Sequence, residues 1–307
     1  SNSDRYSMNY WKIEFNDLPS LGQYYDSNTE IRIRTMTVRD VKYLATFNKS
    51  NAITITNELL QRCLKLKHLK FEDILLADRE YLLFWLRTNT FIRSSGYQIK
   101  IPECPTCKNS IEQEVKLNSF KTDYIKSKSD TCFLDGLNIA IPLKHPTIKD
   151  LKDARLVEND EFLDLALYID TDNSLQDKVK FIMNLQGMDF VNLKYTIDQM
   201  KCGMHKTIQV KCPICGEITD VKLIVADENM FTHTSIKEIL ELITRIAKYA
   251  NLQITDDWPW MEVEIEQEIV NKMIKDENTE TQKEIAKAKS QANAHTPSTS
   301  SVKHPRI

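Results

Sequence analysis

The chain has 307 residues, 41% hydrophobic and 28% charged, enough for one large or two ordinary soluble domains with real cores. A formal charge of −3 argues against broad nonspecific nucleic-acid binding, and 6 glycines are few for a nucleotide fold built on Gly-rich phosphate turns. No apolar run reaches the roughly 18–20 residues that a bilayer span needs, and no charged-then-apolar leader opens the chain.

In chain order, residues 10–15 alternate apolar and polar and predict a short strand. Leu18-Pro19-Ser20-Leu21-Gly22 reads as a turn. Residues 30–34 predict a second strand, with isoleucine on one face and arginine on the other. Thr37-Val38-Arg39-Asp40 is a capping box that opens a helix to about residue 47. Another helix is expected over 58–67. A longer one starts near Phe71 and is dense enough in Ile74, Leu75, Leu82, Leu83, Trp85 and Leu86 to be buried. On it, Asp78-Arg79-Glu80 reads as a charged face turned to solvent or to an interface.

Strands are expected at 97–101 and 111–117, flanking Cys104-Pro105-Thr106-Cys107. Residues 137–143 alternate again. Pro146 to Asp150 opens a helix by the same capping logic, and helices are expected near 148–157, 160–169, 174–185 and 189–201. The segment 206–225 holds Cys212-Pro213-Ile214-Cys215 between two further strands. Ser235-Ile236-Lys237-Glu238 caps a helix whose Ile236, Ile239, Leu240, Ile243 and Ile246 share one face. A turn at 256–260 leads to a helix over 261–275. The remainder, 276–307, is charged and polar and reads as disordered, above all from about residue 291.

The two C-P-x-C hooks are the chain's internal repeat: strand, knuckle, strand, in two copies. One hook supplies two sulfurs, half of a tetrahedral zinc site. Two hooks supply all four, so Cys104, Cys107, Cys212 and Cys215 are the candidate ligands of one structural zinc. The intervening stretch of about a hundred residues is no bar, because loop-closure entropy grows only logarithmically with length. A thioredoxin-type dithiol fits less well, since that motif ends a strand and opens a helix. Metal-free cysteines filling a small core stay open as a third reading. Cys202 and His205 are alternative ligands beside Cys212 and Cys215, while Cys63 and Cys132 read as core fillers. Trp258 and Trp260 around Pro259 form either an exposed aromatic anchor for a partner or a cover over the last core helix. The chain has no P-loop, GxSxG or HExxH motif, so no catalytic residues are assigned.

The expected fold class is α+β, mostly helical, with a split zinc ribbon closing around a helical insertion. The expected organisation is an N-terminal strand-and-helix region over 1–95 and ribbon halves at 96–120 and 206–231 around an insertion at 121–205. C-terminal helices over 232–275 and the tail follow.

In their order along the chain, several stretches resemble a family from contractile-tailed phages of the T4 type, the baseplate hub subunits and hub assembly chaperones. They are Leu18-Pro19-Ser20-Leu21-Gly22 with Tyr25, Ile31 to Asp40, Leu59-Leu60 with Arg62-Cys63, and Asp78 to Arg87. Tyr97 with the first hook, and the second hook ending at Cys215-Gly216, complete the set. The resemblance spans about residues 10–230. It implies a non-enzymatic structural or chaperone role in building the tail hub and baseplate in the host cytoplasm. The implied partners are other tail proteins, with self-association left open and neither membrane nor nucleic acid expected. A zinc-ribbon nucleic-acid accessory protein is the alternative. It requires a basic face near the knuckles, where Lys100, Lys108, Lys116, Lys206, Lys211 and Lys222 are offset by Glu103, Glu112, Glu114, Glu217 and Asp220.

Overall fold

Alternation of apolar and polar residues builds one antiparallel sheet from Trp11–Ile13 (β1), Glu30–Ile33 (β2) and Leu64–Lys67 (β3), in that order. Ile31 lies opposite Ile13 and Leu66, and Ile33 opposite Leu64, so the isoleucine face is buried and Arg32 is exposed. The computed structural model describes residues 9–92, 97–101, 103–115, 120–151, 154, 162–205, 207–222, 230–231 and 234–294. The described residues are 49% helical and 18% strand, the mixed class expected.

The capping box at Thr37 forms as expected and starts Val38–Leu44 (α1). Asp40 accepts from the Thr37 amide at 3.0 Å and from the Arg34 guanidinium at 2.6 Å, so it ties the end of β2 to the helix it caps. Ala52–Cys63 (α2) and Leu76–Thr90 (α3) pack beneath, with Leu59, Leu60, Leu82, Leu83 and Leu86 fully buried. The helix expected over 58–67 is therefore corrected at its end. From Leu64 the chain is strand, because Leu64-Lys65-Leu66-Lys67 has period two and pairs with β2.

The first hairpin is Tyr97–Ile101 (β4) with Ile111–Val115 (β5). Thr122–Asp123 (β6) follows, then the hairpin of Ser129–Leu134 (β7) and Ile139–Lys144 (β8). Leu163–Ala166 (α4), Leu175–Met183 (α5) and Gly187–Met200 (α6) come next, then Gly203–Met204 (β9), which pairs with β6. The second ribbon hairpin is Thr207–Lys211 (β10) with Ile218–Lys222 (β11). The insertion is thus not purely helical, as the sequence led us to expect. The β7–β8 hairpin packs Cys132, Leu134, Ile141 and Leu143 against Leu193, Ile197 and Met200 of α6 and its surroundings, making a second, separate core. The helix expected at 160–169 is a single turn, and the one at 148–157 begins as a 3-10 turn, Ile148–Leu151, before passing largely outside the described residues.

Ile236–Ala250 (α7) starts at the expected Ser235 capping box, and Asn251 ends it in the left-handed region (φ 52°). Trp260–Ala294 (α8) is far longer than the helix expected over 261–275, and the 276–294 part of the tail expected to be disordered is helix. The tail expected to be disordered beyond residue 294 lies outside the described residues. The loop before α8 is stitched to the start of α1: Val38 N–H donates to Trp258 O, Arg39 N–H to Asp256 O, and Trp260 N–H to Met36 O, all at 2.9 Å. Val263 and Val270 of α8 then join the main core. Among the described residues, no helix is long and apolar enough to cross a membrane.

Candidate metal centre

Each C-P-x-C sequence makes a tight turn at the end of a hairpin, and the two turns use the same backbone bonds. Cys104 N–H donates to Asn109 O at 2.8 Å, and Lys108 N–H to Cys104 O at 3.0 Å. In the second, Cys212 N–H donates to Glu217 O at 2.7 Å, and Gly216 N–H to Cys212 O at 3.0 Å. The residue just after each second cysteine has a positive φ, 62° at Lys108 and 78° at Gly216. Glycine takes that conformation at no steric cost, whereas lysine carries strain there. Asn109 and Glu217 lie one step further on; from the sequence Glu217 counts only as an acid offsetting nearby lysines, and Asn109 is not singled out. Their shared position two residues after the hook is the signal that marks them.

The two turns bring Cys104, Cys107, Cys212 and Cys215 together, with all four sulfurs within 4.8 Å of one another. Cys104 Sγ lies 3.7 Å from Cys215 Sγ, and Cys107 Sγ 3.6 Å from Cys212 Sγ. A disulfide is about 2.05 Å long, so these are not bonded sulfurs. A tetrahedron with zinc–sulfur bonds of about 2.3 Å has edges of about 3.8 Å, which matches the two closest approaches. The donor set and the geometry both fit a four-sulfur zinc site. Such a site has no open coordination position, so it suits a structural ion.

The electrostatics agree. The side chain and backbone amide of Asn109 hold the Cys107 thiol down, to about 6. The Cys215 and Ile214 amides lower that of Cys212. The Glu217 amide favours a Cys215 thiolate, but desolvation and the neighbouring Cys107, Cys212 and Cys104 sulfurs outweigh it and push the thiol up to about 12. Four thiolates this close repel, and a divalent cation is what lets all four ionise.

Cys104 and Cys212 are buried in the main core with Ile111 and Val210, whereas Cys215 is exposed. The site therefore anchors the ribbon to the body. Cys202 and His205 do not join it. Cys202 Sγ faces His145 Nδ1 at 3.9 Å, and His205 Nδ1 pairs with Asp123 at 3.2 Å. Cys63 and Cys132 are buried as expected. Burial lifts the Cys63 thiol well above its ordinary value. Near the knuckles, Lys108 pairs with Glu103 at 3.2 Å, and the side chains of Lys100, Lys116, Lys206 and Lys222 lie outside the described residues.

Two expectations about surface residues are corrected. Trp258 and Trp260 are 9% and 4% exposed and belong to the main core, so neither indole is an exposed anchor. Trp260 Nε1–H donates to Glu264, whose other oxygen accepts from the Ile92 amide. Asp78 and Arg79 are also buried, not a solvated face. Asp78 accepts from Ser20 N–H at 2.9 Å, and from Ser20 Oγ and the Tyr25 hydroxyl at 2.5 Å each. Tyr25 in turn accepts from the Leu75 amide at 3.2 Å. The turn motif around Ser20 and the start of α3 are thus two halves of one buried hydrogen-bond network.

A family model described as T4 bacteriophage base plate protein matches residues 11–232. No curated protein and no solved structure matches the chain.

Proposed function

Because the chain belongs to the T4 bacteriophage base plate protein family, we propose that it is a structural or assembly protein of a contractile phage tail. On this reading it contributes to baseplate and central hub assembly through protein–protein contacts, either as a hub subunit or as an assembly chaperone. It works in the host cytoplasm while tails are built. The family match over 11–232 is the observation that carries the reading. The match contains both hooks and the Ser20–Tyr25–Asp78 network.

Cys104, Cys107, Cys212 and Cys215 would hold one structural zinc, which fastens residues 96–120 to 206–231 at the base of the insertion. A closed set of four sulfurs offers no site for substrate, in keeping with a non-enzymatic role. The insertion, with its own core, and the helices after residue 232 are the parts free to present surfaces to tail partners.

Affinity capture of the tagged chain from infected cells, followed by mass spectrometry of captured proteins and of finished particles, tests the proposal. Base plate or hub proteins in the captured set support it, and presence or absence in the particle separates subunit from chaperone. Capture of transcription or replication proteins without tail proteins overturns it.

A further inference from the structure

His145 stands where the chain crosses from one core to the other. Just before it, Leu143 lies in the insertion core, and Lys144 N–H donates to Tyr168 O at 2.8 Å. Just after it, Ile148 lies in the main core. Ile148 N–H donates to Ile74 O and Leu76 N–H to Pro146 O, both at 2.9 Å. His145 itself is 3% exposed. Its Nε2 lies 2.9 Å from Ser127 O. A carbonyl oxygen only accepts, so Nε2 carries the proton and Nδ1 is left to accept from the Cys202 thiol at 3.9 Å. The rings of Tyr24, from the N-terminal region, and Tyr168, from the insertion, pack against the imidazole with centroids 5.7 and 5.9 Å away. Four segments thus close on one neutral ring.

Tyr24, Tyr168 and Cys202 are the titratable side chains against that ring. The acids within electrostatic range of these three are Asp170, Asp164, Asp198, Glu80, Asp78 and Asp123. Among the described residues none of them pairs with His145. Asp170 pairs with Lys144, Asp164 and Asp198 with Lys201, and Asp123 with His205. Asp78 is held by Ser20 and Tyr25. Burial keeps the imidazole below its ordinary value, against the pull of the Ser127 carbonyl. When Nδ1 takes a proton, the new N–H meets a thiol that is itself a donor and only a weak acceptor, and a cation is left buried without a partner charge. Opening the junction to water relieves both.

We propose that His145 is an acid-operated latch: neutral, it holds the insertion against the start of α3, and protonated, it releases that contact. The β6–β9 pair and the thiol cluster use other residues, so the insertion swings on its base instead of detaching. A histidine whose folded value is depressed stabilises the closed form fully above the free value of about 6.5. That stabilisation is lost as pH falls from there through the folded value.

Hydrogen exchange of the full chain at about pH 7.5 and pH 5.5, corrected for the intrinsic rate at each pH, tests the latch. Peptides covering Ile74 to Leu76 and Lys144 to Ile148 should open several-fold more often in acid, up to about tenfold, and peptides of α2 should change less. His145→Gln keeps a donor for Ser127 O but takes up no proton in this range, so its junction should show no such rise. Setting the variant beside the parent cancels the other titrating groups, Asp78 and the His205–Asp123 pair included. Circular dichroism and metal content at both pH values check that the variant is folded. If it is not, the comparison with α2 in the parent decides alone. A junction that tracks α2 in the parent, or that opens in acid as much in His145→Gln as in the parent, overturns the inference.

Discussion

Asp78 shows how one residue can carry a motif that lies far away in sequence. Its carboxylate accepts the amide and hydroxyl of Ser20 and the hydroxyl of Tyr25, so a turn and a helix more than fifty residues apart share one buried acceptor. Burial raises the Asp78 carboxyl above the usual range, against the opposing hydrogen bonds from Ser20 and Tyr25. A raised value in the folded state means that folding favours the protonated form. That contribution is full below the ordinary carboxylate value and is lost as pH rises through the folded value. Between about pH 4.5 and 8, the stability of the parent chain should therefore fall relative to Asp78→Asn, which cannot ionise. Urea unfolding of both proteins across that range checks this, and a constant difference would contradict it. Asp78→Ala, which strands three buried hydrogen-bond donors, should cost about 2–4 kcal/mol near the ordinary carboxylate value, where the parent's contribution is full, and less as pH rises. The sequence displayed all three residues, but not their meeting. Asp-Arg-Glu on a helix looks like a solvated face, and only the fold reveals that Ser20 and Tyr25 have been built to receive it.

At the scale of elements, the capping boxes at Thr37 and Ser235, the ribbon hairpins, and α5 and α6 were legible, because each depends on neighbours in sequence. β3 was lost in an apolar stretch whose two leucines fit a helix as well as a strand until β2 supplies a partner. α8 was cut short because its apolar face fades after Ile274, and charge was read as disorder. Trp258 and Trp260 were ambiguous because Asp-Asp-Trp-Pro-Trp looks like an exposed turn. Its docking on α1 through backbone bonds is a long-range event. Two alterations separate the anchored start of α8 from its exposed end. Trp260→Ala should open a core cavity and cost about 3–5 kcal/mol. Ending the chain after Lys275 removes only exposed described side chains, so the melting temperature should move by no more than a few degrees. Thermal unfolding of the two proteins tests both halves. A large loss on truncation would show that the end of α8 is anchored after all.

For the whole molecule, the repeat of two hooks was the most informative thing in the sequence. It located all four sulfurs that the fold brings together, since the ligand spacing within each hook is local. What it could not show was the second closure. β6 and β9, where the chain enters and leaves the insertion, pair with each other just inside the two ribbon hairpins. The insertion, which has a core of its own, is thus held at its base twice, by a strand pair and by the thiol cluster. The same arrangement explains why the N-terminal region, the ribbon and the C-terminal helices share the main core despite their separation along the chain. The central claim is that the halves of the ribbon are joined by one shared metal. Elemental analysis of the purified chain beside Cys104→Ser and Cys212→Ser tests it most directly. The parent chain should hold about one zinc and either variant should lose it, with a marked drop in stability, because each half supplies only two of four ligands. A parent chain without zinc, or a variant that keeps the parent's content, would contradict it.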